Sequence, residues 1–364
     1  MNIYILIGTR PNFIKVTQFK NCAAKINPAI KISIIHTGQH YDEKMADIFF
    51  KQFNLIPDYY LNIAPGSANK QIAEIMAKLE DLVIEKGKPD LLLVPGDVNS
   101  TMAGALFANK SAIKLGHIEA GLRSFDRTMP EEFNRLVTDE LTDLFFITEP
   151  SGQQHLINEK RDASKIYFVG NTMIDTMVAY EKEIESSNVL KELGINSDKF
   201  VLMTMHRPAT VDDKTEFEKL IQLIDHVSIR YKVVFPIHPR TVKNAKDFGL
   251  HDRIRNNKNL ICTEPLDYFA FQKLVKNCSF ILTDSGGIQE ESTFRQKPCL
   301  TLRKNTERPI TVTDGSNTLL SFDIDMVKSY IAKIEDGSYK KGKIPAMWDG
   351  KATERILNVI NNKL

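Results

Sequence analysis

Three acidic residues in the first half of the chain have the positions expected of groups that move protons. Asp97 in PGDVNST and Glu119 in HIEAGLRS end apolar runs, and Glu131 in MPEEFNR opens a helical pattern. Carboxylates held close together raise one another's pKa, and groups shifted in this way are suited to proton transfer at carbon. We therefore predict that the three form an acid–base set. Each has a structural alternative, as a helix cap or as the ion-pair partner of Arg123 or Arg135.

A turn near the N-terminus has the composition of an anion-binding site. The segment GTRPN (8–12) follows the first apolar run, and Arg10 and Lys15 place two cations beside it. Pro11 fits the first turn of a helix, whose free amides and dipole favour a negative charge. The alternative is an ordinary strand-to-helix turn with solvated cations.

A second turn, with the sequence TDSGGIQEE, is a better phosphate-binding candidate. Gly286 and Gly287 let the backbone approach a phosphate closely, and Ser285 adds a hydroxyl donor. Glu291, about one helical turn on, is predicted to accept hydrogen bonds from ribose hydroxyls. Arg308 follows the next apolar run and would complete the anion pocket. The alternatives are a glycine-containing loop with a capped helix and, for Arg308, a solvated surface charge.

Two histidines stand at the ends of successive apolar runs in the second half. His206 in MTMHRP is followed by Arg207, and His238 in FPIHP has the equivalent position one run later. They would bring titratable groups and a cation to the ligand. A single histidine at a strand end is usually structural, but two in equivalent positions favour a functional role.

Motifs for other chemistries are missing from the sequence. It contains no GxGxxG, P-loop, GxSxG or HExxH motif. We therefore predict that the protein uses no cofactor, no serine nucleophile and no metal ion. The four cysteines lie in no CxxC or metal-binding spacing, which favours a reducing, cytoplasmic compartment.

The elements that must position these residues are short apolar runs alternating with amphipathic helical patterns. This alternation is typical of βαβ units, in which ligands bind beyond the carboxyl ends of parallel strands. The fold class is predicted to be α/β, with two Rossmann-like, doubly wound parallel-sheet domains and a cleft between them. We place the first domain at residues 1–170 and the second at 171–349, and expect the helix at 350–364 to pack on the first. The predicted strands are 2–8, 31–37, 90–96, 116–120, 144–148 and 166–170, then 199–204, 232–238, 259–264, 280–286 and 299–303.

The overall composition excludes several classes of partner. The 364 residues include 48 Lys+Arg and 46 Asp+Glu, so the formal charge is only +2. A near-neutral chain has no general attraction to nucleic acid or anionic membranes, and no apolar run approaches the roughly 20 residues of a membrane span. The N-terminus lacks the features of a signal peptide. We expect no nucleic-acid partner, no membrane association and a cytoplasmic location.

Taken together, these motifs resemble those of the non-hydrolysing UDP-N-acetylglucosamine 2-epimerases, which have the two-domain fold of GT-B glycosyltransferases. The resemblance covers nearly the whole chain, and HIEAGLRS followed later by SGGIQEE is its most specific part. The matching segments are GTRP (8–11) with Lys15, HTGQH (36–40), PGDVNST (95–101), HIEAGLRS (117–124), PEEFNR (130–135), GN (170–171), HR (206–207), TDSGGIQEE (283–291) and LRKNTERP (302–309).

The resemblance implies inversion at C2 of a UDP-sugar by anti elimination of UDP to 2-acetamidoglucal and re-addition of UDP. It also implies a homodimer and no redox cofactor. The implied catalytic residues are Asp97, Glu119, Glu131 and His206, and the base that removes the C2 proton stays unassigned. The residues implied to bind the UDP-sugar are Arg10, Lys15, Arg123, Arg135, Arg207, His238, Phe269, Ser285, Gly286, Gly287, Glu291 and Arg308.

The sequence departs from the family pattern at several positions. Asn12 stands where many members have Glu, and Pro208 follows His206-Arg207 where many have Arg. The surroundings of the histidine therefore differ from those in many relatives.

A further departure concerns the effector site. Gln39 and His40 belong to the segment that binds a UDP-GlcNAc effector in many bacterial members. Asp42 and Asn69 stand where those members have Gln and Arg, which argues against effector activation.

Three other functions fit some of the motifs. A 2-epimerase of a UDP-diacetamido-uronic acid would share the core residues. A GT-B glycosyltransferase would need an acceptor, and the carboxylate trio argues against it. A catalytically silent UDP-sugar sensor would bind its ligand without exchanging the C2 proton.

Overall fold

The computed structural model describes residues 1–38, 50, 52–195 and 199–364. Gln39 and His40, predicted to form an effector site, lie outside the described residues. The chain divides into two compact units. Unit 1 comprises Met1–Ala179 and Ala346–Leu364, and unit 2 comprises Tyr180–Pro345.

Unit 1 is built on a seven-stranded parallel sheet with the strand order β3-β2-β1-β4-β5-β6-β7. The order reverses at β1, as in doubly wound nucleotide-binding folds. Its strands are β1 (Asn2–Ile7), β2 (Lys31–His36), β3 (Tyr59–Tyr60), β4 (Leu91–Pro95), β5 (Lys114–Ile118), β6 (Leu144–Ile147) and β7 (Ile166–Phe168). Its helices are α1 (Arg10–Ile14), α2 (Phe19–Ile26), α3 (Ala68–Lys86), α4 (Asn99–Lys110), α5 (Pro130–Leu141), α6 (Pro150–Asn158), α7 (Thr172–Ala179) and α18 (Ala352–Lys363), with a short 3-10 helix at Ala163–Lys165.

Unit 2 repeats the plan with a six-stranded parallel sheet of order β10-β9-β8-β11-β12-β13. Its strands are β8 (Phe200–Thr204), β9 (Lys232–Pro236), β10 (Leu260–Thr263), β11 (Phe280–Thr283), β12 (Cys299–Leu302) and β13 (Asn317–Leu320). Its helices are α8 (Glu181–Ser186), α9 (Val189–Glu192), α10 (Pro208–Val211), α11 (Lys214–Val227), α12 (Pro239–Asp247), α13 (His251–Asn256), α14 (Tyr268–Asn277), α15 (Gly287–Phe294), α16 (Ile310–Thr313) and α17 (Ile324–Glu335). None of the described helices is long and apolar enough to cross a membrane.

The central strands of both sheets are buried on their two faces, which explains why these strands are apolar. Every residue of β4 and of β11 is buried. Leu92 and Val94 of β4 pack with Ile75 and Leu79 of α3 in one core of unit 1. Each fully buried side chain of this size contributes about 1.5–3 kcal/mol. The rigid sheets fix where the loops at their carboxyl ends begin, and the candidate site is built on those loops.

The predicted fold class is confirmed: each unit is a parallel-sheet α/β domain, and all eleven predicted strands occur. The division between the units follows Ala179 rather than residue 170. Helix α7 stays with unit 1 because Asp175 accepts hydrogen bonds from the Ala352 and Thr353 amides at 3.0 and 2.6 Å, at the start of α18. A side chain of α7 thus caps the last helix of the chain.

Trp348 offers a specific probe of unit 1. It is the single tryptophan of the sequence, it is buried, and its indole N–H donates to the Thr148 carbonyl oxygen at 3.0 Å. Its fluorescence should report the unfolding of this unit directly.

His36 should make unit 1 sensitive to acid. Burial lowers the pKa of His36 from 6.5 to about 4. Because the folded state holds the ring neutral, its contribution is full above pH 6.5 and is lost as the pH falls toward 4. A shift of this size corresponds to about 3 kcal/mol. We expect His36→Asn, which retains an acceptor for the Gly38 amide, to flatten the pH dependence of unfolding in this window, measured by urea titration with Trp348 fluorescence. An unchanged pH profile in the variant would contradict this assignment.

Candidate active site

Lys15 and Glu119 form a buried ion pair in unit 1. Lys15 directly follows α1, and Glu119 directly follows β5. The Lys15 Nζ lies 2.6 Å from Glu119 Oε2, and the two side chains are only 6% and 2% exposed. Each buried charge is therefore compensated by the other. The sequence placed Lys15 among the diphosphate ligands, whereas the structure places its ammonium group on a catalytic candidate.

Glu119 has an unusual backbone conformation. Its φ is +72°, in the left-handed region that costs a non-glycine residue about 1–3 kcal/mol. The amides of Glu119 and Ala120 both donate to the Phe146 carbonyl oxygen, at 3.0 and 3.2 Å, so the neighbouring strand β6 holds the turn. Strain maintained in this way is typical of positions where a side chain must point in one direction.

Asp97 is fixed by Arg135 and Asn134 of α5. The Arg135 guanidinium donates to the Asp97 carboxylate and also to Glu132 Oε2, at 2.6 Å from Nη2. Asn134 Nδ2 donates to the Asp97 carbonyl oxygen at 2.8 Å. The Asp97 side chain is 27% exposed, so a carboxylate oxygen stays accessible. Arg135 is buried, so the structure gives this predicted substrate ligand the role of holding Asp97.

Arg10 and Glu131 occupy more open positions. Arg10 is exposed at the first residue of α1, and Glu131 is partly exposed in the first turn of α5. Among the described residues, Glu131 makes no hydrogen bond with Asp97 or Glu119. The structure therefore places Asp97 and Glu119 on turns that follow two paired strands, while Glu131 is partly exposed in the first turn of α5.

Asn12 connects the first two turns of the site. Its Oδ1 accepts hydrogen bonds from the Thr9 amide and hydroxyl at 3.3 and 2.9 Å, and its Nδ2 donates to the Pro95 carbonyl oxygen at 2.9 Å. A carboxylate could make the first two bonds but could not donate to Pro95. Asn12 stands where many family members have Glu, and its amide group makes all three of these contacts.

Replacing Asn12 with Asp should destabilise unit 1. The change removes the donor to Pro95 and places two acceptors face to face in a buried position, at a cost of about 1–3 kcal/mol. Urea unfolding followed by Trp348 fluorescence should show this loss. Asn69→Asp, an exposed residue of α3, controls for the added charge and should leave the midpoint near wild type. Equal midpoints for the two variants would show that the Pro95 contact contributes nothing.

Arg123 is also buried rather than available to a ligand. Its guanidinium contacts Asp139 Oδ2 at 2.7 Å and donates to both carboxylate oxygens of Glu159, at 2.8 and 2.7 Å. Burial by itself would raise the pKa of Asp139, but His117 and Arg123 outweigh it and lower that pKa. These contacts hold Arg123, predicted as a substrate ligand, within an internal network of unit 1.

In unit 2, the Asp284 side chain stabilises the turn that contains His206. Its carboxylate accepts hydrogen bonds from the His206 and Arg207 amides at 2.9 and 2.8 Å, and its Oδ1 lies 3.1 Å from His206 Nδ1. Burial would raise the pKa of Asp284, but the hydrogen bonds from His206 and Arg207 outweigh it and lower that pKa. Asp284 is buried while the His206 side chain is 51% exposed. This arrangement orients an accessible imidazole.

The turn predicted to bind phosphate leads into α15, and its Gly286 lies beside the charged residues Glu307 and Arg308. A Cβ on Gly286 would lie 2.9 Å from Glu307 Oε1 and 3.3 Å from Arg308 Nη1, so only glycine fits without a shift. Arg308 is buried, with its Nε 2.7 Å from Glu290 Oε2 and its Nη1 on Glu307. The first turn of α15 therefore lies beside a fixed guanidinium, an arrangement that would suit an anion.

The remaining predicted ligands of unit 2 lie on separate elements. Glu291 is buried in α15. Ser285 precedes α15, and its amide donates to Thr283 Oγ1 at 2.9 Å. His238 is the exposed N-cap of α12, where its Nδ1 accepts from the Arg240 amide at 3.2 Å. Phe269 of α14 packs on Tyr180, with ring centroids 5.5 Å apart.

Sequence reasoning missed the residues that hold these groups in place. They are His117, Glu132, Asn134, Asp139, Asp284 and Glu290. Glu132, Asn134 and Asp139 lie on α5 with Arg135, and the five buried residues of this helix, which also include Thr138, are all polar. Asp284 lies within TDSGG, directly after β11.

The chain is similar to known proteins over nearly its whole length. Residues 23–361 match the family model described as UDP-N-acetylglucosamine 2-epimerase. The chain is 40% identical to the UDP-N-acetylglucosamine 2-epimerase of Methanocaldococcus jannaschii, covering 99% of each chain. It is 37% identical to the UDP-2,3-diacetamido-2,3-dideoxy-D-glucuronate 2-epimerase of Pseudomonas aeruginosa, covering 90% of each.

A solved structure gives the same result. The crystal structure of the Methanocaldococcus jannaschii UDP-GlcNAc 2-epimerase in complex with UDP-GlcNAc and UDP matches with a TM-score of 0.88 and 39% identity, covering all of both chains. The chain belongs to the UDP-N-acetylglucosamine 2-epimerase family, whose members are isomerases.

Proposed function

We propose that the protein interconverts UDP-N-acetylglucosamine and UDP-N-acetylmannosamine by inverting the configuration at C2. The observation that carries the proposal is the pair of carboxylates at the carboxyl edge of the unit 1 sheet, Asp97 and Glu119. Each is held by a buried cation, Arg135 and Lys15 respectively. A fixed carboxylate on a rigid turn is what proton abstraction from carbon requires.

The reaction would proceed by elimination and re-addition. A carboxylate of unit 1 takes the C2 proton while the C1–O bond to UDP breaks, giving 2-acetamidoglucal. UDP then adds back to C1 as a proton is delivered to the opposite face of C2. Two groups that exchange protons are needed, and Asp97 and Glu119 occupy separate turns suited to this division.

The groups of unit 2 would stabilise the departing UDP. Charge builds on the diphosphate as the C1–O bond breaks, and the α15 amides with Arg308 would bind that charge more strongly in the transition state. Glu291 would accept hydrogen bonds from the ribose hydroxyls. His206, held by Asp284, would add a titratable group at the diphosphate or the sugar.

Proton NMR in deuterated water tests the proposal. Purified protein incubated with UDP-GlcNAc should incorporate deuterium at C2 and produce the manno isomer, since the C2 proton is lost to a group in exchange with solvent. Activity without added effector would agree with the changes at Asp42 and Asn69. Binding of UDP without any C2 exchange would contradict the proposed substrate.

A second substrate has a specific observation in its favour. The Pseudomonas aeruginosa relative named for UDP-2,3-diacetamido-2,3-dideoxy-D-glucuronate is nearly as similar as the archaeal relative, at 37% against 40% identity. The same NMR assay with the diacetamido-uronic acid separates the two substrates. Release of UDP in proportion to an added acceptor would indicate a glycosyltransferase, and binding of both sugars with no exchange would indicate a sensor.

The expected setting is a homodimer in a reducing, cytoplasmic compartment. All four cysteines are free thiols, and Cys278 and Cys299 are buried. Burial raises the pKa of Cys278 to about 12 and that of Cys299 to about 11, so both are inert at neutral pH. Light scattering of the purified protein at several concentrations tests the dimer.

A further inference from the structure

His117 is buried with acceptors at both ring nitrogens. It lies in β5, two residues before Glu119, and is fully buried. Its Nδ1 is 2.6 Å from Asp139 Oδ1, and its Nε2 is 2.8 Å from the carbonyl oxygen of Gly96. A neutral imidazole has one donor nitrogen and one acceptor nitrogen, so it could satisfy only one of these contacts.

Only the doubly protonated ring satisfies both contacts. A carbonyl oxygen can only accept a hydrogen bond, which requires a proton on Nε2. The Asp139 carboxylate also accepts from the Gly121 amide at 3.0 Å and lies 2.7 Å from the Arg123 guanidinium, so it is surrounded by donors. An ionised carboxylate in this position requires the second proton on Nδ1. The charges that face His117 are therefore Asp139 and, behind it, Arg123 with Glu159.

The other partner of His117 belongs to the turn that carries Asp97. Gly96 has a φ of +70°. A Cβ at this position would lie 3.0 Å from Lys15 Nζ and 3.1 Å from Asn12 Nδ2. Gly96 thus lies between the turn that contains Asp97 and the Lys15–Glu119 ion pair. The Gly96 amide is also held in place, because it donates a hydrogen bond to the Ile118 carbonyl oxygen at 2.9 Å.

We infer that His117 is an imidazolium that acts as a positioning residue for Asp97, by donating a charge-assisted hydrogen bond to the Gly96 carbonyl. Asp139 maintains the charge and Arg123 holds Asp139. The peptides on the two sides of Asp97 are then both anchored: His117 holds the Gly96 carbonyl, and Asn134 of α5 holds the Asp97 carbonyl. The charge of His117 is inferred from its contacts alone. The expected effect on catalysis, a lower rate of proton transfer when the hydrogen bond to Gly96 is lost, rests on the proposed function.

The protonation state can be measured without any activity assay. Protein labelled with ¹⁵N-histidine should show His117 with two protonated ring nitrogens at neutral pH, in two-dimensional spectra that correlate ring nitrogens and carbon-bound protons. His36 provides the internal comparison, because its pKa of about 4 keeps that ring neutral at the same pH. Asp139→Asn should convert His117 to a singly protonated ring. A singly protonated His117 in the wild-type protein would overturn the inference.

Two substitutions separate the contacts of His117. Gln places an amide donor near the position of Nε2 and can still donate to Gly96, whereas Asn places its amide near Nδ1 and reaches only Asp139. His117→Asn should lower kcat for C2 exchange about 10²-fold, as expected when a catalytic group is misplaced by about 1 Å. KM and the affinity for UDP should not change. His117→Gln should recover most of the lost kcat.

Three kinetic outcomes would overturn the positioning role. They are a wild-type kcat in His117→Asn, equal losses in the Asn and Gln variants, and a loss of UDP affinity that accounts for the lower rate. Thermal unfolding followed by Trp348 fluorescence shows whether both variants are folded. If either is not, the ¹⁵N spectrum of His117 in the wild-type protein still determines whether the ring is charged. A wild-type protein that exchanges no C2 proton would contradict the proposed function, and the ring spectrum would still judge the imidazolium.

Discussion

Asp97→Asn should lower kcat for C2 epimerisation by about 10²–10⁴-fold, the range expected for removal of a general acid or base. The carboxylate lies at the end of β4, is fixed by Arg135 and is partly accessible, so it can reach a substrate without leaving its turn. Asn keeps an acceptor for Arg135 and the volume of the side chain. The loss is therefore that of the titratable oxygen alone, and the affinity for UDP measured by calorimetry should stay near wild type.

A control for this prediction lies at the other end of the same strand. Asp90 directly precedes β4, is exposed, and accepts a hydrogen bond from the Asn2 amide at 2.7 Å. Asp90→Asn makes the same chemical change at the amino end, away from the ligand edge of a parallel sheet. It should retain the wild-type kcat. Full activity in Asp97→Asn, or equal losses in both variants, would remove Asp97 from the proton-handling set.

The fold could be predicted from the sequence because the central strands of both sheets are buried on two faces. Such strands are continuous apolar runs, and every run recognised in the sequence became a strand. The two strands that were missed have no such signal. Strand β3 is only Tyr59–Tyr60, and β13 (Asn317–Leu320) begins with polar Asn317 and Thr318. Edge strands are covered less completely, so their composition is less constrained.

The site was predictable in its positions but not in its pairings. Asp97 and Glu119 follow strands, as predicted, and His206 follows β8 after one intervening residue, Met205. Which cation meets which carboxylate depends on the packing of α1 and α5 against the sheet, and a single sequence contains no signal for that. Lys15 and Arg135 were therefore assigned to the substrate when the structure has them on Glu119 and Asp97. In both pairs a buried cation lies on a buried or partly buried carboxylate.

Lys15→Met should lower the free energy of unfolding of unit 1 by about 3–5 kcal/mol, the cost of removing one partner of a buried ion pair. Met preserves most of the length and volume of lysine but removes the charge 2.6 Å from a carboxylate that is 2% exposed. Lys20→Met is the matched control. Lys20 pairs with Asp58 at 2.8 Å on the surface, with both side chains about one-third exposed, and an exposed pair contributes at most about 1 kcal/mol. Urea unfolding read by Trp348 fluorescence measures both.

The double variant Lys15→Met with Glu119→Gln decides between two roles for Lys15. If the ammonium group mainly compensates Glu119, removing both charges should restore much of the lost stability, with a coupling of about 1–3 kcal/mol between the two sites. If Lys15 instead serves mainly as a ligand of the diphosphate, Lys15→Met should weaken UDP binding with little loss of stability, and the two substitutions should be additive. Additive stabilities together with lost UDP affinity would return Lys15 to the substrate-binding set, and would leave the strained turn at Glu119 to be held by β6 alone.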